Sequence, residues 1–199
     1  LQRDSRVRYF RNEHNLGAAP NFNRSFHESK GKYFKWASHD DLMETDYIEK
    51  CVAALEKNPK AVLCHSLVNL IDENGDSLDI HNSNLVNSDS PHAHQRFHAL
   101  ALRPHQCLEC DGVIRSDALE KTGLIGSFHS SDRAILAELS LLGRFIQLDE
   151  PLFLTREHKA RYRRAAVSPQ DRLMFHNTAG SSRINLPTWS LYAKYITMV

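Results

Sequence analysis

The chain has 199 residues, 41% of them hydrophobic and 25% charged, with 25 basic against 24 acidic side chains and a formal net charge of +1. That apolar share can bury one sizeable core and excludes a disordered polymer, and the near-neutral balance gives no broad attraction for phosphate backbones, so no nucleic-acid partner is expected. No apolar run is long enough to cross a bilayer, and the start Leu1-Gln2-Arg3-Asp4 carries neither an initiator methionine nor a signal-peptide pattern. These features predict a cytoplasmic protein or fragment without a transmembrane segment, soluble or peripheral to a membrane, and they leave room for a homo-oligomer.

In chain order, Val7-Arg8-Tyr9-Phe10 is β-prone, Asn15-Leu16-Gly17 reads as a turn, and Ala18 to Lys30 reads as a helix ended by Gly31. Tyr33 to Ala37 gives a second strand, closed by Ser38-His39-Asp40-Asp41. Asp46 and Glu49 have the spacing of a capping box that opens a helix to about Lys57. After the breaker Asn58-Pro59, Ala61 to Ile71 reads as a third strand running into the turn Glu73-Asn74-Gly75-Asp76. Residues 77 to 91, rich in Asn, Ser and Asp, read as a loop, followed by a short helix from His92 to Leu102.

Gly112-Val113-Ile114-Arg115 gives another strand, Ser116 to Thr122 a helix, and Ser131 to Leu142 an amphipathic helix ended by Gly143. Phe145 to Leu148 and Leu152 to Thr155 form a strand pair straddling Pro151. From Arg156 the chain turns basic through Lys159, Arg161, Arg163 and Arg164, and a helical segment with Trp189, Tyr192 and Tyr195 closes it, its aromatic spacing read as core packing. Strands alternating with helices predict an α/β layer structure. The division expected is 1–160 as one domain, with 161–199 as a basic, helical extension packed on it.

In an open α/β sheet the ligand lies beyond the carboxyl ends of the strands, which places Asp40 and Asp41 on the predicted ligand edge. Adjacent carboxylates are hard oxygen ligands suited to Mg²⁺ or Mn²⁺, yet two aspartates before a helix also serve as its cap. Taken alone, the pair reads as a cap. The surrounding order adds to it: Asn15-Leu16-Gly17, Asn23, Gly31-Lys32-Tyr33 and Asp40-Asp41, then Gly112-Val113-Ile114-Arg115, Asp132 before an amphipathic helix, Gly143, Glu150-Pro151-Leu152 and Arg156-Glu157-His158. That succession resembles the inverting family 2 glycosyltransferases over about residues 5 to 160.

The resemblance implies a GT-A type mixed sheet flanked by helices, and an enzyme moving a hexosyl or N-acetylhexosaminyl unit from a nucleotide-sugar donor, uridine-linked, to a carbohydrate or other hydroxyl acceptor. It implies Asp132 as catalytic base, Asn15, Gly17, Asn23, Ser38, Asp40 and Arg156 as donor contacts, and Asp40, Asp41 and His158 around a divalent ion. The basic run after Arg156 would close over phosphates or be a solvated surface. Ser38 stands where many members carry an acid, and the strands with which members begin do not precede Leu1, so the fold is expected to be incomplete at its N-terminus.

Other signals carry less. His92, His94 and His98 read as surface residues of a variable region, Asp72 to Asp76 as a turn and not a calcium loop, and Cys51, Cys64, Cys107 and Cys110 as buried or half-buried thiols. No Gly-x-Ser-x-Gly elbow or Walker loop occurs. The rival readings are a sugar nucleotidyltransferase and a non-catalytic sugar- or partner-binding module on the same scaffold.

Overall fold

In the computed structural model, which describes residues 4–158 and 187–198, Gly17 enters the first helix at φ 83, a left-handed conformation that suits glycine. Helix α1 (Ala18–His27) then stops short of Lys30, because the Glu28 and Ser29 amides bond back to Arg24 and Phe26 and close its last turn. Residues 7–10 are not a strand and pair with none of the described strands. The Phe10 ring lies instead near the guanidinium groups of Arg8 and Arg24, 5.4 and 5.6 Å from its centre.

Strand β1 is only Tyr33–Phe34, shorter than expected, because its partner is short and pairs only Tyr33 with Arg115 and Phe34 with Ile114. A second short strand that the sequence reading lacked, β2 (Leu42–Met43), follows the aspartate pair. Helix α2 (Tyr47–Lys57) begins at Asp46, but no capping box forms; the Asp46 carboxylate pairs with Lys50 at 2.9 Å. The helix buries Tyr47, Cys51 and Leu55 along one stripe.

Strand β3 (Ala61–Ile71) is as expected and forms the spine of the sheet. It turns at Asp72 to Asp76 into β4 (Ser77–His81), so the stretch read as loop starts as the return strand of a hairpin. The expected helix from His92 divides into α3 (Ala93–Phe97) and a wider turn over His98–Leu102. Next come β5 (Val113–Arg115), α4 (Ser116–Leu119), α5 (Ser131–Leu142), β6 (Arg144–Arg156) and, past the gap in description, α6 (Pro187–Met198). The two strands expected around Pro151 are one, with register shifts beside Leu67, the partner of Pro151.

The sheet runs β1-β5-β3-β6-β2, with β4 beside the far half of β3. Only β3 and β6 are parallel; the other pairings are antiparallel. Two apolar clusters share the strands. One gathers Leu63, Ile114 and Phe145 with Leu136 and Leu139 of α5, the other Cys64, Val68 and Phe153 with Tyr47 and Leu55 of α2. The result is a mixed α/β sheet flanked by helices. No disulfide joins the four cysteines, of which Cys51, Cys64 and Cys107 are buried and Cys110 half-buried, and His92, His94 and His98 are exposed as expected. The basic run from Lys159 to Arg164 lies outside the described residues.

Candidate active site

Strands β3 and β6, being parallel, end side by side, with Ile71 opposite Arg156 and the Glu157 amide donating to Ile71 O at 2.7 Å. Antiparallel pairing of Leu42 with Leu154 and Met43 with Phe153 lays the chain before β2 along the end of β6. That register delivers the aspartate pair to the same edge. The Arg156 amide donates to Asp41 Oδ1 at 2.9 Å, and His158 Nε2 sits 2.9 Å from Asp40 Oδ2.

Burial alone would push the Asp40 carboxyl up, but its hydrogen bond from His158, a backbone amide and the neighbouring His39 outweigh that, so it stays below the ordinary aspartate value. Arg156 is committed to the framework. Its Nε donates to Asp40 O at 3.2 Å, and its Nη1 to Asp72 O at 2.9 Å and Glu73 O at 3.0 Å, tying the aspartate loop to the β3–β4 turn. Asp40, Asp41, Arg156 and His158 therefore form one cluster. Among the described residues no three His, Cys, Asp or Glu side chains converge as a ready metal-binding set.

Asp132 is the second residue of α5, half-buried, with Oδ1 accepting from the Arg133 amide at 2.8 Å. No hydrogen bond or ion pair among the described residues joins it to Asp40 or Asp41. Burial first, then the charges of Asp132, Cys107 and Asp111, raise the Cys110 thiol well above its usual range, so Asp132 and Asp111 both act on that position. Cys110 Sγ also lies 3.7 Å from Asp132 O.

Lys35, which the sequence reading did not single out, is half-buried beside Trp36 and Phe153. Burial lowers its ammonium below the usual lysine value, while Asp111 and Asp41 oppose that shift. Nζ donates to Trp36 O at 2.9 Å and lies 4.6 Å from the centre of the Phe153 ring. Asp111, also unmarked in the sequence, accepts a hydrogen bond from Tyr47 Oη on its carbonyl at 3.0 Å. The only available signal was a lysine between two large aromatic residues, Phe34 and Trp36, both of which are buried.

The remaining predicted contacts have framework partners. Asn15 Oδ1 accepts from the Gly17 amide at 2.9 Å, building the turn before α1. Asn23 uses both ends of its amide on Ile125, donating to O at 2.9 Å and accepting from N at 3.0 Å, and so fastens α1 to the loop that leads to Asp132. Ser38 is exposed in the loop before the aspartates.

Against known proteins, residues 1–122 match the model described as glycosyl transferase family 2, a stretch that holds the aspartate pair but ends before Asp132. An uncharacterized glycosyltransferase of Rickettsia bellii is 37% identical over 76 residues, 38% of this chain and 11% of that protein. One of Methanocaldococcus jannaschii is 35% identical over 77 residues, 39% of this chain and 27% of its own length. One of Rickettsia felis is 38% identical over 79 residues, 39% of this chain and 13% of that protein. The matched stretch thus spans about a quarter or less of these relatives. With a family match over more than half its length and a mixed sheet flanked by helices as the GT-A type requires, this chain belongs to glycosyl transferase family 2.

Proposed function

We propose that the chain is the catalytic region of an inverting glycosyltransferase, taking a hexosyl or N-acetylhexosaminyl unit from a nucleoside-diphosphate sugar, uridine-linked, to the hydroxyl of a carbohydrate or other acceptor. The observation that supports this most is the cluster at the ends of β3 and β6, where two carboxylates are held beside His158 and Arg156 within a family 2 sheet.

In this reading Asp132 takes the proton from the acceptor hydroxyl while its oxygen forms a bond to the anomeric carbon. The bond from that carbon to the donor phosphate breaks on the opposite face, the electron pair leaves with the nucleoside diphosphate, and the configuration inverts. Asp40 and Asp41 fit Mg²⁺ or Mn²⁺ by the chemistry of their oxygens: His158 engages one oxygen of Asp40 and the Arg156 amide one of Asp41, and the donor's phosphates would complete the shell. When bound, such an ion supplies charge neutralisation for the departing diphosphate. His158 orients Asp40 and keeps it ionised; Arg156 fixes the loop that carries both aspartates.

The test is release of nucleoside diphosphate from nucleotide sugars by the full chain, with Mn²⁺ and after chelation. Release is expected only with the ion, and Asp132→Asn should slow transfer by about 10² to 10⁴ while leaving nucleotide affinity unchanged. An equal loss of nucleotide affinity would remove Asp132 from this role, and pyrophosphate released from a nucleoside triphosphate and a sugar 1-phosphate, with no diphosphate released from nucleotide sugars, would assign nucleotidyl transfer instead.

A further inference from the structure

Helix α6 has two apolar faces, and among the described residues only one of them is packed against the rest of the chain. Leu191 and Tyr195 pack with Ala134 and Ala137 of α5 and with Ala101, with Phe97 and Met198 beside them, and Tyr195 Oη reaches Ala101 O at 3.4 Å. The aromatic stripe read from the sequence as packing is therefore buried only at Tyr195. Trp189, Tyr192, Ala193 and Ile196, spaced i, i+3, i+4, i+7, form a second stripe facing solvent, with Trp189 69%, Tyr192 53% and Ile196 79% exposed. Leu102, 60% exposed, extends it across a hollow of about 510 Å³ lined by Phe97, Leu102, Tyr192, Tyr195 and Ile196.

We propose that this stripe is a docking surface for an anionic lipid bilayer, with Trp189, Tyr192 and Ile196 of α6, and Leu102 beside them, entering the boundary between headgroups and acyl chains. Two features select lipid. Tryptophan and tyrosine are the side chains that suit this boundary, burying a ring while keeping a polar tip among the headgroups. Charge selects its sign: α6 contains no carboxylate, and the single cation on it, Lys194, is paired with Glu138 at 2.6 Å away from the stripe's own residues. The sequence running into the helix, residues 159–186, carries six basic side chains against the single acid Asp171.

A short apolar stripe binds a bilayer weakly by itself and gains from a cationic stretch of chain beside it. No helix among the described residues is long and apolar enough to cross the membrane. Docking by the stripe does not depend on the catalytic reading, because none of these residues belongs to the aspartate cluster.

Sedimentation of the full chain with vesicles of phosphatidylcholine alone, and mixed with phosphatidylglycerol, tests the proposal. The expected result is binding to the mixed vesicles, weaker binding to phosphatidylcholine, and release by added salt. The variant Trp189→Ser/Tyr192→Ser/Ile196→Ser should lose about tenfold or more in affinity. A second readout needs no variant: of the two tryptophans Trp36 is already buried, so a shift of emission to shorter wavelength on adding vesicles reports Trp189. Wild-type protein that stays in the supernatant with unchanged emission overturns the proposal. So does a folded triple variant that binds as wild type, or a wild-type dimer in ultracentrifugation that dissociates in the variant while neither binds vesicles, which would assign the stripe to a second copy.

Discussion

Lys35 and Asp40 show how single side chains set the charge of this edge. Asp40 is kept ionised by the His158 hydrogen bond and its other partners against the pull of burial, while the half-buried Lys35 feels the charges of Asp111 and Asp41. A cation that feels both carboxylates offsets part of their negative charge and lowers the cost of bringing an anionic diphosphate near them. Lys35→Met keeps the stem that covers Phe153 and removes the charge. It should weaken nucleotide binding by about three- to tenfold, with Lys35→Arg retaining most of the affinity, as measured by calorimetric titration with uridine diphosphate. Equal affinities for all three proteins would mean that Lys35 serves only packing. The sequence marked the aspartates and His158 because their order was familiar, whereas Lys35 and Asp111 were hidden, since their proximity arises from tertiary contacts between segments far apart in the chain.

At the scale of elements, the legible pieces were those whose periodicity and terminators agree. Both β3, a mostly apolar, partly alternating run between Pro59 and an Asn-Gly turn, and α5, ended by Gly143, have the expected bounds. The short strands were not legible. Strand β2 has two residues, both exposed, and exists because β6 offers it a register; β4 leaves Leu78 and Ile80 exposed, so its alternation marks no buried face. That register, invisible in the sequence, is what brings Asp40 to His158. Asn23 plays a comparable part on the other side, through its paired hydrogen bonds to Ile125. Asn23→Ala would leave both Ile125 backbone groups without that partner, at a cost of about 1 to 3 kcal/mol in urea unfolding. Amide exchange at Ile125 should rise with it, and exchange unchanged there would show that the loop before Asp132 is held by other contacts.

Across the whole molecule, the segment before β5 carries a buried carboxyl–imidazole pair. Glu109 and His105 are both fully buried; His105 Nδ1 lies 3.1 Å from Glu109 Oε2, and its Nε2 lies 2.9 Å from Leu100 O. Arg133, next to Asp132, donates to Arg103 O at 2.7 Å and His105 O at 2.9 Å, so the same segment anchors the start of α5. Burial pulls the Glu109 carboxyl upward, but the His105 hydrogen bond and the nearby His65 prevail and hold it at about 2, below its ordinary 4.5. A carboxyl with a depressed folded value adds stability above the unfolded value and loses it as pH falls through the interval. At about 1.4 kcal/mol per pH unit, about 3 kcal/mol of folding free energy should disappear between pH 4.5 and about 2. Glu109→Gln removes the titrating group while keeping the side chain's shape. Its stability relative to wild type, from denaturant unfolding at a series of pH values, should be lowest at neutral pH and approach parity in acid. A constant difference across that range would show that Glu109 has the same proton affinity in the folded and unfolded chain.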